Sequence, residues 1–364
     1  MATRQFSVLN WNVGGARFLE EPDKRKRGKF RNDLNRALNR LVREFKPDVI
    51  ALQEIVEYSE PDKPLENIIK DIRGYVHYHY ILINTATHPY VGKWRKVEQA
   101  GKWPPGSLFG QGNAILWREK LPHFPVWSLP KLSFEPDHEK HVEEVILMSG
   151  LYLGDRNTEP RAASVSHFVI PGLYDATREK EKPLDIFVVN LHLTTLMGER
   201  EGIPQIDEEA TRTRQRQLNI VLNGIVSRYN DWRRGGYRFR GERRAPEPWE
   251  DFDRLPPIWI LCGDFNFTPE SAEYAFIRRM NFVDLNPKKG RGTKGKGFGS
   301  KGKATIICDY IFAGPKYISM DPIFTRQMAM NNTEPIDRIK VSDHYPLVAK
   351  IPLSTLQLRS LVEF

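Results

Sequence analysis

The sequence predicts an α/β fold, and three observations predict it. Short apolar runs of strand length recur along the chain, longer stretches between them repeat apolar residues at helical spacing, and no linker, repeat or heptad array divides the two kinds. In order, the strand-like runs are Phe6 to Leu9, Val49 to Leu52, Tyr80 to Ile83, Ala114 to Trp117, Ile186 to Leu193, Ile258 to Cys262, Ile306 to Phe312 and Leu347 to Ile351. Between the first two, Phe30, Leu34, Ala37, Leu38, Leu41, Val42 and Phe45 fall on one helical face. That pattern stops at Lys46-Pro47, because a residue before proline is driven out of the helical region. A second amphipathic helix carries Leu218, Val221, Leu222, Ile225 and Val226. A third is expected to start at Thr268-Pro269, a hydroxyl cap followed by proline at the first helical position. One domain over residues 1–364 accounts for this mixture, with basic loop insertions near 228–250 and 287–303.

With 364 residues, 40% of them apolar and 11% aromatic, the chain buries a large core and disorder is not the default reading. Lys and Arg number 55 against 46 Asp and Glu, a net charge of +9 that favours a polyanionic partner but also serves solubility. The charge is concentrated. Residues 228–244 hold seven arginines against Asp231 and Glu242, interleaved with Tyr229, Trp232, Tyr237 and Phe239. Residues 288–303 hold seven Lys or Arg, among them Lys294, Lys296 and Lys301, six glycines and no acid. The segment Tyr90 to Phe109 adds Trp94 and Trp103 among further cations, a mixture suited to stacking on and steering a nucleic-acid strand. A solvated surface insertion satisfies the same compositions.

Cys262 and Cys308 are the two cysteines, too few for a disulfide framework; buried thiols in a reducing compartment are expected. The opening residues run from Met1 to Gln5 straight into an apolar segment, without the charged start or cleavage site of a secretion signal. No stretch approaches the roughly 20 apolar residues of a membrane span, so a soluble, cytoplasmic protein is expected.

Polar residues able to bind metal or move protons stand at the ends of these runs. Asn12 follows the first, Glu54 the second, His192 closes the fifth, and Asp264 and Asn266 follow the sixth. Asp309 interrupts Ile306 to Phe312, and Asp343-His344 precedes the last run. Ligands of α/β sheets collect outside strand ends, so these distant residues can meet at one site. Carboxylate and amide oxygens are the hard donors that Mg²⁺ prefers, while a carboxylate or histidine nearby can handle the proton of an attacking water. No thiolate cluster or paired histidines suggest structural zinc, and no glycine-rich phosphate loop appears. Taken singly, Asn12 suits a turn, and His192 a satisfied core position. Asp309 in an apolar strand is harder to place without a partner, since a buried unpaired carboxylate costs several kcal/mol.

Seven blocks carry a resemblance: Leu9-Asn10-Trp11-Asn12, Leu52-Gln53-Glu54, Gly112-Asn113-Ala114-Ile115-Leu116, Asn190-Leu191-His192-Leu193, Gly263-Asp264-Phe265-Asn266, Asp309-Tyr310-Ile311-Phe312 and Ser342-Asp343-His344. Together, and in this order, they resemble the endonuclease/exonuclease/phosphatase superfamily, the group of deoxyribonuclease I. The resemblance implies a four-layer α/β sandwich, two packed mixed sheets flanked by helices. It also implies an Mg²⁺ (or Mn²⁺) site on Glu54, with Asn12 and Asp343 holding or hydrogen-bonding the metal and its waters. Asp264 is then the base for the nucleophilic water and Asn266 the amide that orients that water or the phosphate. His344, supported by Asp309, contacts the scissile phosphate, and His192 is a second phosphate-contacting histidine or general acid. Asn113, Lys294, Lys296 and Lys301 are assigned to substrate binding. The implied activity is metal-dependent phosphodiester hydrolysis, with DNA or RNA as substrate and 5′-phosphate and 3′-hydroxyl products. A phosphatase or phospholipase acting on phosphoinositide, sphingomyelin or sugar phosphate is the alternative.

Overall fold

A computed structural model describes residues 5–14, 24–58, 72, 74–75, 77–84, 95–96, 108–121, 123–124, 142–147, 161–175, 180–194, 204–227, 255–285, 306–314, 342 and 344–353. In chain order its elements begin with β1 (Gln5–Asn12), α1 (Lys24–Phe45), β2 (Val49–Tyr58), β3 (His77–Asn84), β4 (Arg95–Lys96) and β5 (Leu108–Trp117). Next come β6 (His123–Phe124), β7 (Val142–Leu147), β8 (Arg161–Asp175), β9 (Lys180–His192) and α2 (Pro204–Asn219), which continues as a π-helical stretch over Ile220–Ser227. The chain then forms β10 (Leu255–Asp264), α3 (Ala272–Arg279), β11 (Val283–Asp284), β12 (Asp309–Gly314) and β13 (Leu347–Pro352).

The strands form two mixed sheets. The first has six strands in the order β13-β1-β2-β5-β3, with β4 also on β5; the second has seven in the order β11-β12-β10-β9-β8-β6, with β7 also on β8. Each sheet contains one parallel pair, β1 with β2 and β9 with β10, and the helix between the partners of each pair makes the crossover that parallel strands require. Asn12, His192 and Asp264 close β1, β9 and β10, and Gln53-Glu54 lie within β2 where its parallel pairing with β1 ends.

Strand alternation sorts the side chains into the layers. Phe6, Val8, Val49 and Ala51 from the first sheet meet Ile186, Val188, Ile258, Ile260 and Cys262 from the second in a core between the sheets. Leu9, Trp11, Ile50 and Leu52 point the other way, onto Leu34, Ala37, Leu38 and Leu41 of α1. Phe187, Val189, Leu191, Trp259 and Leu261 meet Leu218, Val221, Leu222 and Ile225 on the outer face of the second sheet. The order helix, sheet, sheet, helix is the four-layer sandwich that the resemblance implies.

The third helix begins later than expected. Ser271 N–H bonds back to the Thr268 carbonyl at 3.0 Å, so Thr268 to Ser271 form a turn, and Ser271 Oγ caps α3 by accepting from Tyr274 N at 3.1 Å. Proline at 269 pre-sets that turn instead of the first helical residue. Among the described residues no helix is long and apolar enough to cross a membrane. Cys262 and Cys308 are both buried free thiols, and burial pushes the Cys262 thiol well above its ordinary range.

Candidate active site

Along each inward-facing strand register the residues change from apolar to polar or ionisable as the strand nears its end. Phe6, Val8, Asn10 and Asn12 follow this course on β1, Ile186, Val188, Asn190 and His192 on β9, and Ile258, Ile260, Cys262 and Asp264 on β10. The period of two therefore puts Asn12, His192 and Asp264 on the face between the sheets. Glu54 breaks the pattern, since alternation would turn it outward with Leu52. Its φ of 54° and the register shift between Leu52 and Ile55 are those of a β-bulge, which re-aims the carboxylate toward the site. A non-glycine residue in that region is strained, and such strain concentrates at functional sites.

Asn12 joins the two sheets at the site. Its Nδ2 donates to Glu54 Oε1 at 3.1 Å and to Asp264 Oδ2 at 2.9 Å, while its Oδ1 accepts from Gly14 N at 2.9 Å. Ser342 Oγ donates to the Asn12 carbonyl at 2.8 Å and accepts from His344 N at 3.0 Å, and Trp11 Nε1 donates to the His344 carbonyl at 3.0 Å. These bonds fix the segment carrying His344 against the end of β1.

Two histidines flank Asp264. His344 Nδ1 lies 2.9 Å from Asp309 Oδ2 and its Nε2 lies 3.7 Å from Asp264 Oδ2. Because a carboxylate only accepts, Asp309 holds the proton on Nδ1 and fixes the direction in which Nε2 points. On the other side His192 Nε2 lies 3.8 Å from Asp264 Oδ2 and 4.0 Å from Glu54 Oε1. Asn266, at φ 52°, donates its backbone N–H to Asp264 Oδ1 at 3.0 Å and its side-chain amide to the Leu193 carbonyl at 3.0 Å. Asp264, Asp309, His344 and Asn266 are each 4% exposed or less. Asn113 is also buried, one residue before Ala114, which pairs with Leu52 of β2. Asp343, Lys294, Lys296, Lys301 and the basic segments 228–250 and 287–303 lie outside the described residues.

Sequence reasoning missed Arg161 as a member of this cluster. It opens β8, is buried, and places Nη1 3.0 Å from His192 Nδ1 and 3.4 Å from its Nε2. A guanidinium has donors only, so the nearer nitrogen, Nδ1, presents the lone pair, and the proton of a neutral His192 then sits on Nε2, the nitrogen nearest the carboxylates. A charged residue opening a strand of small and apolar residues was the one signal available. Beneath the ionisable groups lies a buried amide relay. Gln53 Nε2 donates to Asn10 Oδ1 at 2.8 Å and to Asn190 Oδ1 at 2.7 Å, and Asn190 Nδ2 donates to the carbonyls of Leu52 and Ala114 at 3.1 and 2.8 Å. This relay spans the gap between the sheets directly under Glu54 and Asp264.

The donor set fits a divalent cation. Atoms of Glu54, His192 and Asp264 lie within 4.8 Å of one another, as do atoms of Asp264, Cys308, Asp309 and His344. Carboxylates brought this close with so little water repel one another unless a cation or positive side chain compensates, and Mg²⁺ or Mn²⁺ suits oxygen donors. In the second group Cys308 Sγ lies 3.6 Å from Asp309 Oδ2, as a thiol donating to the carboxylate. The first group, with the partly exposed Glu54, is the better place for an exchangeable hard cation.

A family model described as the Endonuclease/Exonuclease/phosphatase family matches residues 9–344. Among solved structures, an endonuclease/exonuclease/phosphatase from Beutenbergia cavernae superposes with a TM-score of 0.55 at 17% identity, over 97% of this chain and 72% of that one. One from Bacteroides vulgatus gives 0.52 at 12% identity, over 95% of this chain and 98% of its own. A family protein from Bacteroides thetaiotaomicron gives 0.52 at 14% identity, over 98% and 99%. At these identities the superpositions speak for the fold alone. No curated protein matches the chain in sequence.

Proposed function

The chain belongs to the endonuclease/exonuclease/phosphatase family, and from that premise we propose that it is a Mg²⁺- or Mn²⁺-dependent phosphodiesterase, a cytoplasmic nuclease acting on DNA or RNA. The observation that carries the reading is the convergence of Glu54, Asp264, His192 and the Asp309–His344 pair at one end of the sandwich, with Asn12 bonded to two of the carboxylates.

In this reading Glu54 holds the cation, and Asn12 keeps the Glu54 and Asp264 carboxylates at a fixed separation. The cation, when bound, neutralises charge on the phosphorane-like transition state and on the leaving oxygen. Asp264 takes the proton of the attacking water on the second lone pair of Oδ2, whose first accepts from Asn12, while Oδ1 accepts from the Asn266 backbone N–H. His344 Nε2–H donates to a non-bridging phosphate oxygen, oriented by Asp309, and His192 donates from the opposite side with its proton placed by Arg161. Asp343 assists at the metal, and Asn113, Lys294, Lys296 and Lys301 contact the substrate. The net charge of +9 supports a polyanionic substrate over a small neutral one. The products expected are 5′-phosphate and 3′-hydroxyl ends.

Hydrolysis of labelled single- and double-stranded DNA and RNA, with Mg²⁺, Mn²⁺ or EDTA, tests the reading. Metal-dependent cutting that falls steeply with salt and disappears in Asp264→Asn is expected. Turnover confined to sugar phosphates, phosphoinositides or sphingomyelin, insensitive to salt, overturns the nuclease reading in favour of a phosphatase or phospholipase.

A further inference from the structure

Helix α1 does more than cover the first sheet. Its 22 residues carry nine Lys or Arg against Asp33 and Glu44. The apolar residues Leu34, Ala37, Leu38 and Leu41 are buried on the sheet, and on the opposite side Lys29, Asn32, Arg36, Arg40 and Arg43 are all exposed. Their spacing of three, four, four and three residues is that of a straight stripe along one helix face. Asn32, Asn35, Arg36, Asn39 and Arg43 line a shallow groove of about 460 Å³ on this face. Asparagine is a poor helix former and like charges one turn apart repel, so the stripe is not a choice for helix stability. Within the described residues its ion pairing is limited to Asp33, 3.9 Å from Arg36.

The topology gives the stripe a direction. β1 runs toward the active site and is parallel to β2, so α1 returns antiparallel to both, with its Lys24 end at the level of the site and its Phe45 end at the far edge. A helix of this length extends about 33 Å, which matches about ten nucleotides at roughly 3.4 Å each.

We propose that the outer face of α1 is a second binding surface for the phosphate backbone of a nucleic acid, holding polymer that extends away from the cleavage site. The inference rests on the nuclease reading and adds to it a dependence on length. A polymer that reaches both places binds through effective concentration and counterion release, while a fragment confined to the cleft gains neither. The guanidinium-and-amide composition suits phosphate oxygens, which accept only.

The test compares wild type with the triple variant Arg36→Gln, Arg40→Gln, Arg43→Gln, whose side chains are exposed and whose replacement keeps helix propensity. Binding of fluorescent DNA and RNA of about 25 and about four nucleotides is followed by anisotropy in EDTA across a salt series. Hydrolysis of bis(p-nitrophenyl) phosphate with Mn²⁺ and sedimentation with phosphatidylserine vesicles are measured alongside. The expected result is roughly tenfold or greater weakening for the long strand at low salt and a salt slope smaller by about two to three. Short-strand binding and ester hydrolysis stay unchanged. Equal affinities and slopes for the two proteins overturn the proposal, as does a variant that loses vesicles and keeps the long strand, which assigns the stripe to an anionic membrane. A wild type that hydrolyses the ester yet neither binds nor cuts any polymer overturns the nuclease reading itself.

Discussion

Replacing Gly263 by alanine probes how tightly the two central strands are set. A Cβ added at Gly263 stands 1.9 Å from the Leu191 carbonyl oxygen and 2.7 Å from its carbon, where contacts under 3.0 Å are essentially unknown, so the backbones must part by about 1 Å. The displacement falls between Leu191 and Gly263, cross-strand partners immediately before His192 and Asp264, which also pair with each other. The 3.8 Å gap between His192 Nε2 and Asp264 Oδ2 then widens, and the bond from Leu193 N to the Asp264 carbonyl at 3.0 Å is stretched. A 1 Å error in catalytic geometry costs about 10²-fold in rate, and overpacking of this kind costs about 3 kcal/mol. For a chain of 364 residues that loss corresponds to a melting temperature lower by about 4 °C. Steady-state hydrolysis of bis(p-nitrophenyl) phosphate and a thermal melt measure both quantities. A variant with wild-type kcat and melting temperature refutes the claim that strand spacing sets the site.

Asp309→Asn removes the carboxylate that fixes His344 Nδ1–H; kcat should fall about 10²- to 10⁴-fold with KM and the circular dichroism spectrum little changed, and an unchanged kcat removes Asp309 from the mechanism. Asn190→Leu strips the partners of the Leu52 and Ala114 carbonyls and one acceptor of Gln53. At about 1–3 kcal/mol per buried unsatisfied group, chemical denaturation should show a loss of roughly 3 kcal/mol or more, and wild-type stability would contradict the relay. Tyr75 is buried with its hydroxyl donating to the Pro47 carbonyl, and burial above all, with Asp48 beside it, raises its pKa from 10.0 to about 12 against the opposing effect of Arg118. The unfolded phenol ionises first, so this contribution is intact below about pH 10 and is lost as pH rises toward 12, amounting to about 3 kcal/mol. Urea midpoints at about pH 9 and 11.5 should differ in that sense, and Tyr75→Phe should reduce the difference; equal pH sensitivity in both proteins counts against it.

The strands that were legible are those whose apolar runs are unbroken, such as Ile258 to Cys262. β8 was not, because Ser164, Ser166 and His167 interrupt its apolar period and Pro171-Gly172 reads as a turn. In the fold that dipeptide sits at a register shift between Ile170 and Leu173, where a bulge accommodates it within a 15-residue strand. With β8 went Arg161, which no local motif marks. Asp264, Asn12 and His192 were legible because a polar residue at the end of an apolar run contradicts its own surroundings. Glu54 was legible as a residue type in place, but its approach to Asn12 depends on a bulge, and backbone conformation at one residue leaves no trace in composition. Gln53 and Asn190 appeared within motifs as parts of strands; that they bond to each other depends on the packing of two sheets whose residues lie 137 positions apart.

Glu54 is proposed to hold a divalent cation where these carboxylates converge. Titration of the full-length protein with Mn²⁺, followed by electron paramagnetic resonance, measures it directly and without a substrate. Saturable binding is expected that Mg²⁺ displaces and that Glu54→Gln weakens at least tenfold while the fold persists, since one carboxylate ligand is lost. Wild-type Mn²⁺ affinity in Glu54→Gln would contradict it.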